Sequence, residues 1–349
     1  MFRKITLLDN IILFPEQYAR LGSCARSVEL GLGLSTEEID KRIRLFETTG
    51  AKVECITECG SERLNDDALI GKLSDTDCLI TCWQPLSRDV LKHLADRLRL
   101  VLYWTDAVRA DKQAAKEFGI TVDNVPDYGT NAVAEYVFAC LFEVLRRPSY
   151  HVKRAHSGSY DYENFKTARK GILMTDEIYE QTLFEKKLGV AGFGRIGERV
   201  ARIARGLGME VVYFSRTPKK EAEELGVPLV SLEEMFRTCD IVSAHFPSSV
   251  RQPLIGKDLL ELLKPESILI NTGGPESVDY DALIDLLEAR SFRGILDVHP
   301  RIPDRKRLNQ IPNLFYTYRS AWYTRQSLWR KGEILMSKLE SYSAELGTE

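Results

Sequence analysis

"LGVAGFGRIGERVARIARGLGMEVVYFSRTPKK" spans residues 188 to 220. A short apolar run leads into Gly192, Gly194 and Gly197. An amphipathic helical pattern follows, and a second apolar run, "EVVYFS", closes the segment. Three glycines at GxGxxG spacing between a strand and a helix make a dinucleotide cradle. The first permits a tight turn, the second lets backbone approach a pyrophosphate, and the third lets the helix pack close to the strand. Free amides at the helix start, helped by its dipole, then hold the anion. Strand, turn, helix and next strand are all in register here, which a glycine-rich turn that merely packs would not require.

The residues after "EVVYFS" discriminate between the two nicotinamide cofactors. An Asp or Glu there would accept hydrogen bonds from the adenosine ribose and repel an added 2′-phosphate. This chain has Ser215, Arg216 and Thr217, with Lys219 and Lys220 close behind. Two hydroxyls and a planar guanidinium suit a phosphate, so NADP(H) is favoured over NAD(H). A solvated basic turn is the plainer alternative.

Around this segment, short apolar runs alternate with helical patterns, the mark of parallel α/β architecture. Before residue 125 the candidate strands are "KITLLD", "KVECIT", "DCLITCW", "LRLVLYW" and "ITVDNV". Residues 131–147, apolar all round and free of Gly and Pro, predict one long buried helix. Residues 148–187, broken by Pro148, Gly158 and Gly171, read as an irregular arm. The second unit starts at Leu188, with strands "LGVAG", "EVVYFS", "DIVSAHF", "SILIN" and "FRGILD", and Ser231 with Glu234 forms a capping box. "PNLFYTYRSAW" and a C-terminal helix over 324–345 close the chain.

At 349 residues there is chain enough for two cores. A formal net charge of −3 without a dense Lys/Arg run argues against nucleic acid or an anionic membrane as partner. The apolar start of the chain is interrupted by Asp9 and Asn10, so it reads as a strand and not a signal peptide. "YVFACLF" is far short of a membrane span. Seven cysteines, an odd number, suggest reduced thiols and a cytoplasmic location. The CxxxC pairs Cys55/Cys59 and Cys78/Cys82 miss zinc-ligand spacing and read as small core residues, so no metal is expected.

These residues resemble the D-isomer-specific 2-hydroxyacid dehydrogenases over nearly the whole chain. The likeness runs through "NVPDYGTNAVAEYVFACLFEVLRR", the cradle, and residues 240–298. "VVYFSRT" is similar to the version in NADPH-dependent glyoxylate and hydroxypyruvate reductases. The resemblance implies two doubly wound parallel-sheet domains. A flavodoxin-like substrate domain would come from residues 1–130 and 309–349, and a Rossmann dinucleotide-binding domain from 131–308. It further implies a homodimer formed through the nucleotide domains and a small-molecule substrate. Cofactor contacts would come from Arg195, Ile196, Phe246, Pro247, Thr272 and Gly273, with Asp297 meeting the nicotinamide carboxamide. His245 is read as structural.

The family's Arg, Glu and His triad is missing. Gly274 stands where "NTxRG" places the Arg, Ile302 falls closest to the Glu, and Arg319 in "TYRSA" replaces the His. No shift of register restores them: the chain has no Arg between 252 and 289, no Glu between 289 and 332, and no His after 299. The glycine-rich substrate turn is also replaced, by "LYWTDAVRAD" with Tyr103, Trp104 and Asp106. Arg319 is then the candidate for substrate binding or oxyanion stabilisation, its pKa being too high for easy proton exchange. His299 is a candidate acid or base, set against a solvent-facing role. Tyr103 and Trp104 are candidates for lining the site, and Tyr103, Tyr316 and Tyr318 are further possible proton donors, with packing the favoured role for each of the three.

Three functions stay open on this reading: an NADP(H)-dependent oxidoreductase acting on an atypical carbonyl, imine or hydroxy compound, a catalytically silent nucleotide sensor or scaffold, and a redox-neutral enzyme with a tightly held nicotinamide.

Overall fold

The computed structural model describes residues 1–8, 11, 13–31, 43–44, 46, 49, 51–56, 64–157, 181–247, 250, 252–289, 292–298 and 305–346. In chain order the first elements are β1 (Phe2–Leu7), α1 (Pro15–Ser23), β2 (Ala25–Gly31), β3 (Lys52–Ile56), α2 (Asp66–Leu73), β4 (Cys78–Thr81), α3 (Arg88–Leu94), β5 (Leu100–Tyr103), α4 (Lys112–Glu117) and β6 (Thr121–Asn124). Then come α5 (Thr130–Arg146), α6 (Pro148–His156), β7 (Lys187–Ala191), α7 (Arg195–Gly206), β8 (Glu210–Phe214), α8 (Lys220–Glu224), α9 (Leu232–Thr238), β9 (Ile241–Ala244), α10 (Lys257–Leu260) and β10 (Ile268–Asn271). Last are α11 (Tyr280–Glu288), β11 (Arg293–Val298), α12 (Arg305–Leu308), β12 (Leu314–Tyr318) and α13 (Arg325–Leu346).

Side-chain oxygens begin several of these helices by taking the first orphan amides. Asn65 accepts from the Ala68 amide at 2.9 Å, Ser231 from Glu234 at 3.1 Å and Asp279 from Ala282 at 3.1 Å. The long helix foreseen over 131–147 is α5. It stops before Pro148, where Arg147 takes a left-handed φ of 46°. Residues 148–156, read as part of an irregular arm, are helical instead. A proline at the first helical position suits helix initiation, and Pro148 here starts a helix. Within the rest of the arm, residues 158–180 lie outside the described residues.

The chain divides into two α/β units, Met1–Gly129 with Thr324–Glu349, and Thr130–Tyr323. The second crossing therefore falls near 324 and not 309. The reason is a strand pairing: β12 lies parallel to β11, with Leu296 opposite Tyr316, so residues up to Tyr323 belong to the nucleotide unit.

The first unit holds one parallel sheet in the order β3-β2-β1-β4-β5-β6. β2 is an addition to the strands expected from the sequence. Without it the order is that of a five-stranded flavodoxin-like sheet, and β2 inserts between β1 and β3. On one face Leu21 of α1 and Leu335, Met336 and Leu339 of α13 cover Ile5, Ile80 and Leu102. On the other, Leu69, Val90, Leu91 and Ala114 cover Leu79, Val101 and Tyr103. The second unit holds the parallel order β12-β11-β10-β9-β7-β8. Here α5 and α7 bury one face through Val137, Leu141, Val200 and Ala204, while Met235, Phe236, Leu283 and Leu287 bury the other. Strands buried on both faces read as continuous apolar runs, which is why "ILIN" and "IVSA" lack alternation. Among the described residues no helix is long and apolar enough to cross a membrane.

Candidate nucleotide and substrate site

In the second unit the strand order reverses between β7 and β9, and open α/β sheets bind ligands outside the carboxyl ends of strands at such a switch point. The GxGxxG turn sits there, and each glycine has a steric reason. Gly192 has φ 101°, and a Cβ on it would lie 2.6 Å from the His245 carbonyl oxygen at the end of β9. A Cβ on Gly197 would lie 2.2 Å from the Gly192 oxygen and 3.0 Å from Val190 Cγ1, so this glycine lets α7 press onto β7. Around Gly194, which caps α7, nothing stands within 4 Å of such a Cβ. That open ground in front of a 12-residue helix N-terminus is what a pyrophosphate needs, and the residues fit a dinucleotide.

The turn after β8 is fixed from within. Ser215 Oγ donates to the Thr217 carbonyl, and the Lys219 amide donates to Tyr213 Oη at 3.0 Å. Arg216 and Thr217 are exposed, and among the described residues the Arg216 guanidinium makes no hydrogen bond or ion pair. A short rigid turn thus offers a cation beside backbone and hydroxyl groups, with no carboxylate in the position that reads a ribose.

Phe246 and Pro247 follow β9, half-buried and exposed in turn. The Ser243 hydroxyl lies 2.8 Å from His245 Nε2, and burial pulls that imidazole down to about 4. His245 is therefore a neutral packing group at neutral pH. Thr272 and Gly273 follow β10, where Asn271 Oδ1 accepts from the Gly273 amide at 2.9 Å and Asn271 Nδ2 donates to Tyr280 Oη at 3.1 Å.

Asp297 is buried at the end of β11, and its carboxylate is spent on the neighbouring turn. One oxygen accepts from Thr317 Oγ1 at 2.7 Å and the Ser320 amide at 2.8 Å, the other from the Ala321 amide at 3.0 Å. These bonds bracket Arg319, which is held at φ 45° with its side chain exposed. Burial pushes the phenol of Tyr136 on α5 up. Asp297 is first of all the clamp of the Arg319 turn, a role its position in the sequence did not disclose.

Two other sequence expectations need correcting. Tyr103 is fully buried and its hydroxyl donates to the Gln84 carbonyl at 3.0 Å, so it is a core residue and not a proton donor. Trp104 is 3 % exposed and packs in the opposite core of the same sheet, with Lys331 Nζ 4.7 Å above its ring. Alternation along an extended chain sends the two side chains to opposite faces, and neither is left to line an open surface. Cys78 and Cys82 are buried apolar side chains in that same core. Tyr316 donates to Asn309, and its ring meets Tyr318 edge-on at 5.7 Å. His299 lies outside the described residues, as does Cys59.

One carboxylate escaped the sequence reading. Glu276 follows β10 in the turn that replaces the family's Arg motif, and a Cβ on Gly274 would be 2.8 Å from its Oε2.

Comparison with known proteins agrees with this geometry. The sequence model described as "D-isomer specific 2-hydroxyacid dehydrogenase, NAD binding domain" matches residues 138–318. The chain belongs to that family. Like other D-2-hydroxyacid dehydrogenases it is an oxidoreductase built on a nucleotide-binding domain. It is similar to a glyoxylate reductase of Pyrococcus furiosus, 35% identical over 243 residues, 68% of this chain and 70% of that one. A glyoxylate reductase of Aeropyrum pernix is 31% identical over 285 residues, 79% and 83% of the two chains. Among solved structures, an acyclic imino acid reductase in complex with NADPH and D-Arg is 25% identical with a TM-score of 0.71, covering 98% of this chain and 97% of that one.

Proposed function

We propose that the chain is an NADP(H)-dependent oxidoreductase that moves a hydride to or from the C=O or C=N carbon of a small organic acid, or its alcohol or amine counterpart. The observation that carries the cofactor choice is the turn after β8, with Arg216 exposed between Ser215 and Thr217 and no carboxylate at the ribose position. The NADPH held by the imino acid reductase of the same fold supports it. Bound at the cradle, the nicotinamide supplies or takes the hydride.

The chain's own residues do the rest. Gly192, Gly194, Arg195, Ile196 and Gly197 form the turn that receives the pyrophosphate, and Phe246, Pro247, Thr272 and Gly273 border it from the neighbouring strand ends. Arg319 grips the substrate's anionic oxygen, its backbone held by Asp297. A guanidinium at that place stabilises charge but does not deliver a proton. The exposed Phe142, Tyr150 and Val152 on α5 and α6 support a homodimer formed through this unit, and the buried free thiols support a reducing, cytoplasmic setting.

The test follows reduced-nicotinamide absorbance with a panel of 2-oxo acids, alone and with ammonium or methylamine. Replacing Arg319 by Leu should abolish turnover and spare NADPH binding. An unchanged rate removes Arg319 from the reaction.

A further inference from the structure

Where the family carries a cation, this chain carries an acid. Gly274 has no side chain, and the Glu276 carboxylate lies over it, with Oε2 2.8 Å from where a Cβ would stand. The turn that presents it is built, not incidental. Ser277 is buried, its hydroxyl donates to the Gly274 carbonyl at 3.0 Å, and its own carbonyl accepts from the Leu254 and Ile255 amides at 3.0 Å each. Two strands away in the same sheet, the Asp297 clamp fixes Arg319 at the end of β12. With parallel strands about 4.8 Å apart, the ends of β10 and β12 are roughly 10 Å apart. The carboxyl edge of this sheet therefore carries an acidic and a basic residue on two turns whose backbones are hydrogen-bonded in place.

We infer that the substrate is a protonated imine of an acid, an iminium carboxylate, with Glu276 pairing to the iminium N–H and Arg319 to the carboxylate. This rests on the oxidoreductase reading above and gives it a substrate class. It also explains the missing proton relay. Reducing a ketone leaves an alkoxide that must be protonated, which is the work of a His and its Glu. A protonated imine already holds its proton. Hydride adds to the iminium carbon, the C=N π pair becomes the nitrogen lone pair, reduced nicotinamide is oxidised, and the neutral amine takes its next proton from water. Electrostatics favour this acceptor twice. A carboxylate at the nitrogen keeps the imine charged, and the same carboxylate repels the developing alkoxide of a ketone.

The experiment is a calorimetric titration of the NADP+-loaded protein with a panel of N-methyl amino acids, which stand in for the amine product, and with the matching 2-hydroxy acids. Glu276→Gln is titrated in parallel, and NADPH oxidation is followed with 2-oxo acids with and without methylamine. The inference predicts amino acids bound at least tenfold tighter than hydroxy acids, that preference lost in Glu276→Gln, and turnover that requires the amine. Equal binding of the two series, binding of neither, or an unchanged preference in Glu276→Gln overturns it. Failure of NADP+ itself to bind would instead strike the cofactor reading, since the variant alters no cradle residue. An unchanged NADP+ affinity in Glu276→Gln separates the two.

Discussion

Replacing Asp297 by Ala should loosen the hydrogen-bonded turn that holds Arg319 in its left-handed backbone. The buried Ala321 amide loses its acceptor, at a cost of about 1.5–3 kcal/mol for a buried donor that had a charged partner. The Ser320 amide and Thr317 hydroxyl lie nearer solvent and lose less, roughly 0.5–1 kcal/mol each as water replaces the carboxylate. Against this, the relaxed turn releases the left-handed strain at Arg319, roughly 1–2 kcal/mol. The net expectation is a loss of about 2–3 kcal/mol. Urea denaturation followed by tryptophan fluorescence measures it, with Trp322 three residues beyond Arg319 as a local reporter. The double-mutant cycle with Arg319→Gly is sharper. Gly suits φ 45°, so that variant alone should be more stable by about 1 kcal/mol, and Asp297→Ala should then cost about 1 kcal/mol more, because no strain remains to be released. A loss below about 0.5 kcal/mol, or strict additivity, would refute the clamp.

The cradle glycines make opposite predictions. Gly197→Ala drives a Cβ into backbone and should cost about 3 kcal/mol or more, seen as a lowered Tm, whereas Gly194→Ala has open space and should cost no more than about 1 kcal/mol while weakening NADPH at least tenfold by calorimetry. His245 ties stability to acid. Its pKa falls from 6.5 to about 4 on burial, so the unfolded chain binds the extra proton in that window and stability drops as pH falls from 6.5 towards 4, by roughly 1–3 kcal/mol. Urea titrations at pH 7 and pH 4.5 should show this loss, smaller in His245→Gln; equal slopes in both proteins would exclude His245 as the cause.

The cradle was legible because everything it needs is local: three glycines, one strand end and one helix start within ten residues. The Ser231 N-cap, half of the expected capping box, was readable for the same reason. What escaped depended on distant pairing. "ARSVELG" mixes charged, polar and apolar residues without strict alternation and forms β2 between β1 and β3. "LFYTY" joins the nucleotide unit through β11, which local pattern cannot reveal. Tyr103 and Trp104 looked like pocket walls because their neighbours include no glycine, yet strand alternation sends them into two separate cores. Asp297 was read by its family place, while the contacts it makes are with residues twenty and more positions on. Glu276 went unnoticed since it occupies no position of the expected triad.

Calorimetric affinities of NADPH and NADH for the unmodified protein test the central claim most directly. An exposed guanidinium in place of a ribose-reading carboxylate predicts NADPH bound at least tenfold more tightly, with the preference lost in Arg216→Ala. Equal affinities, tighter NADH, or no heat with either nucleotide would contradict it.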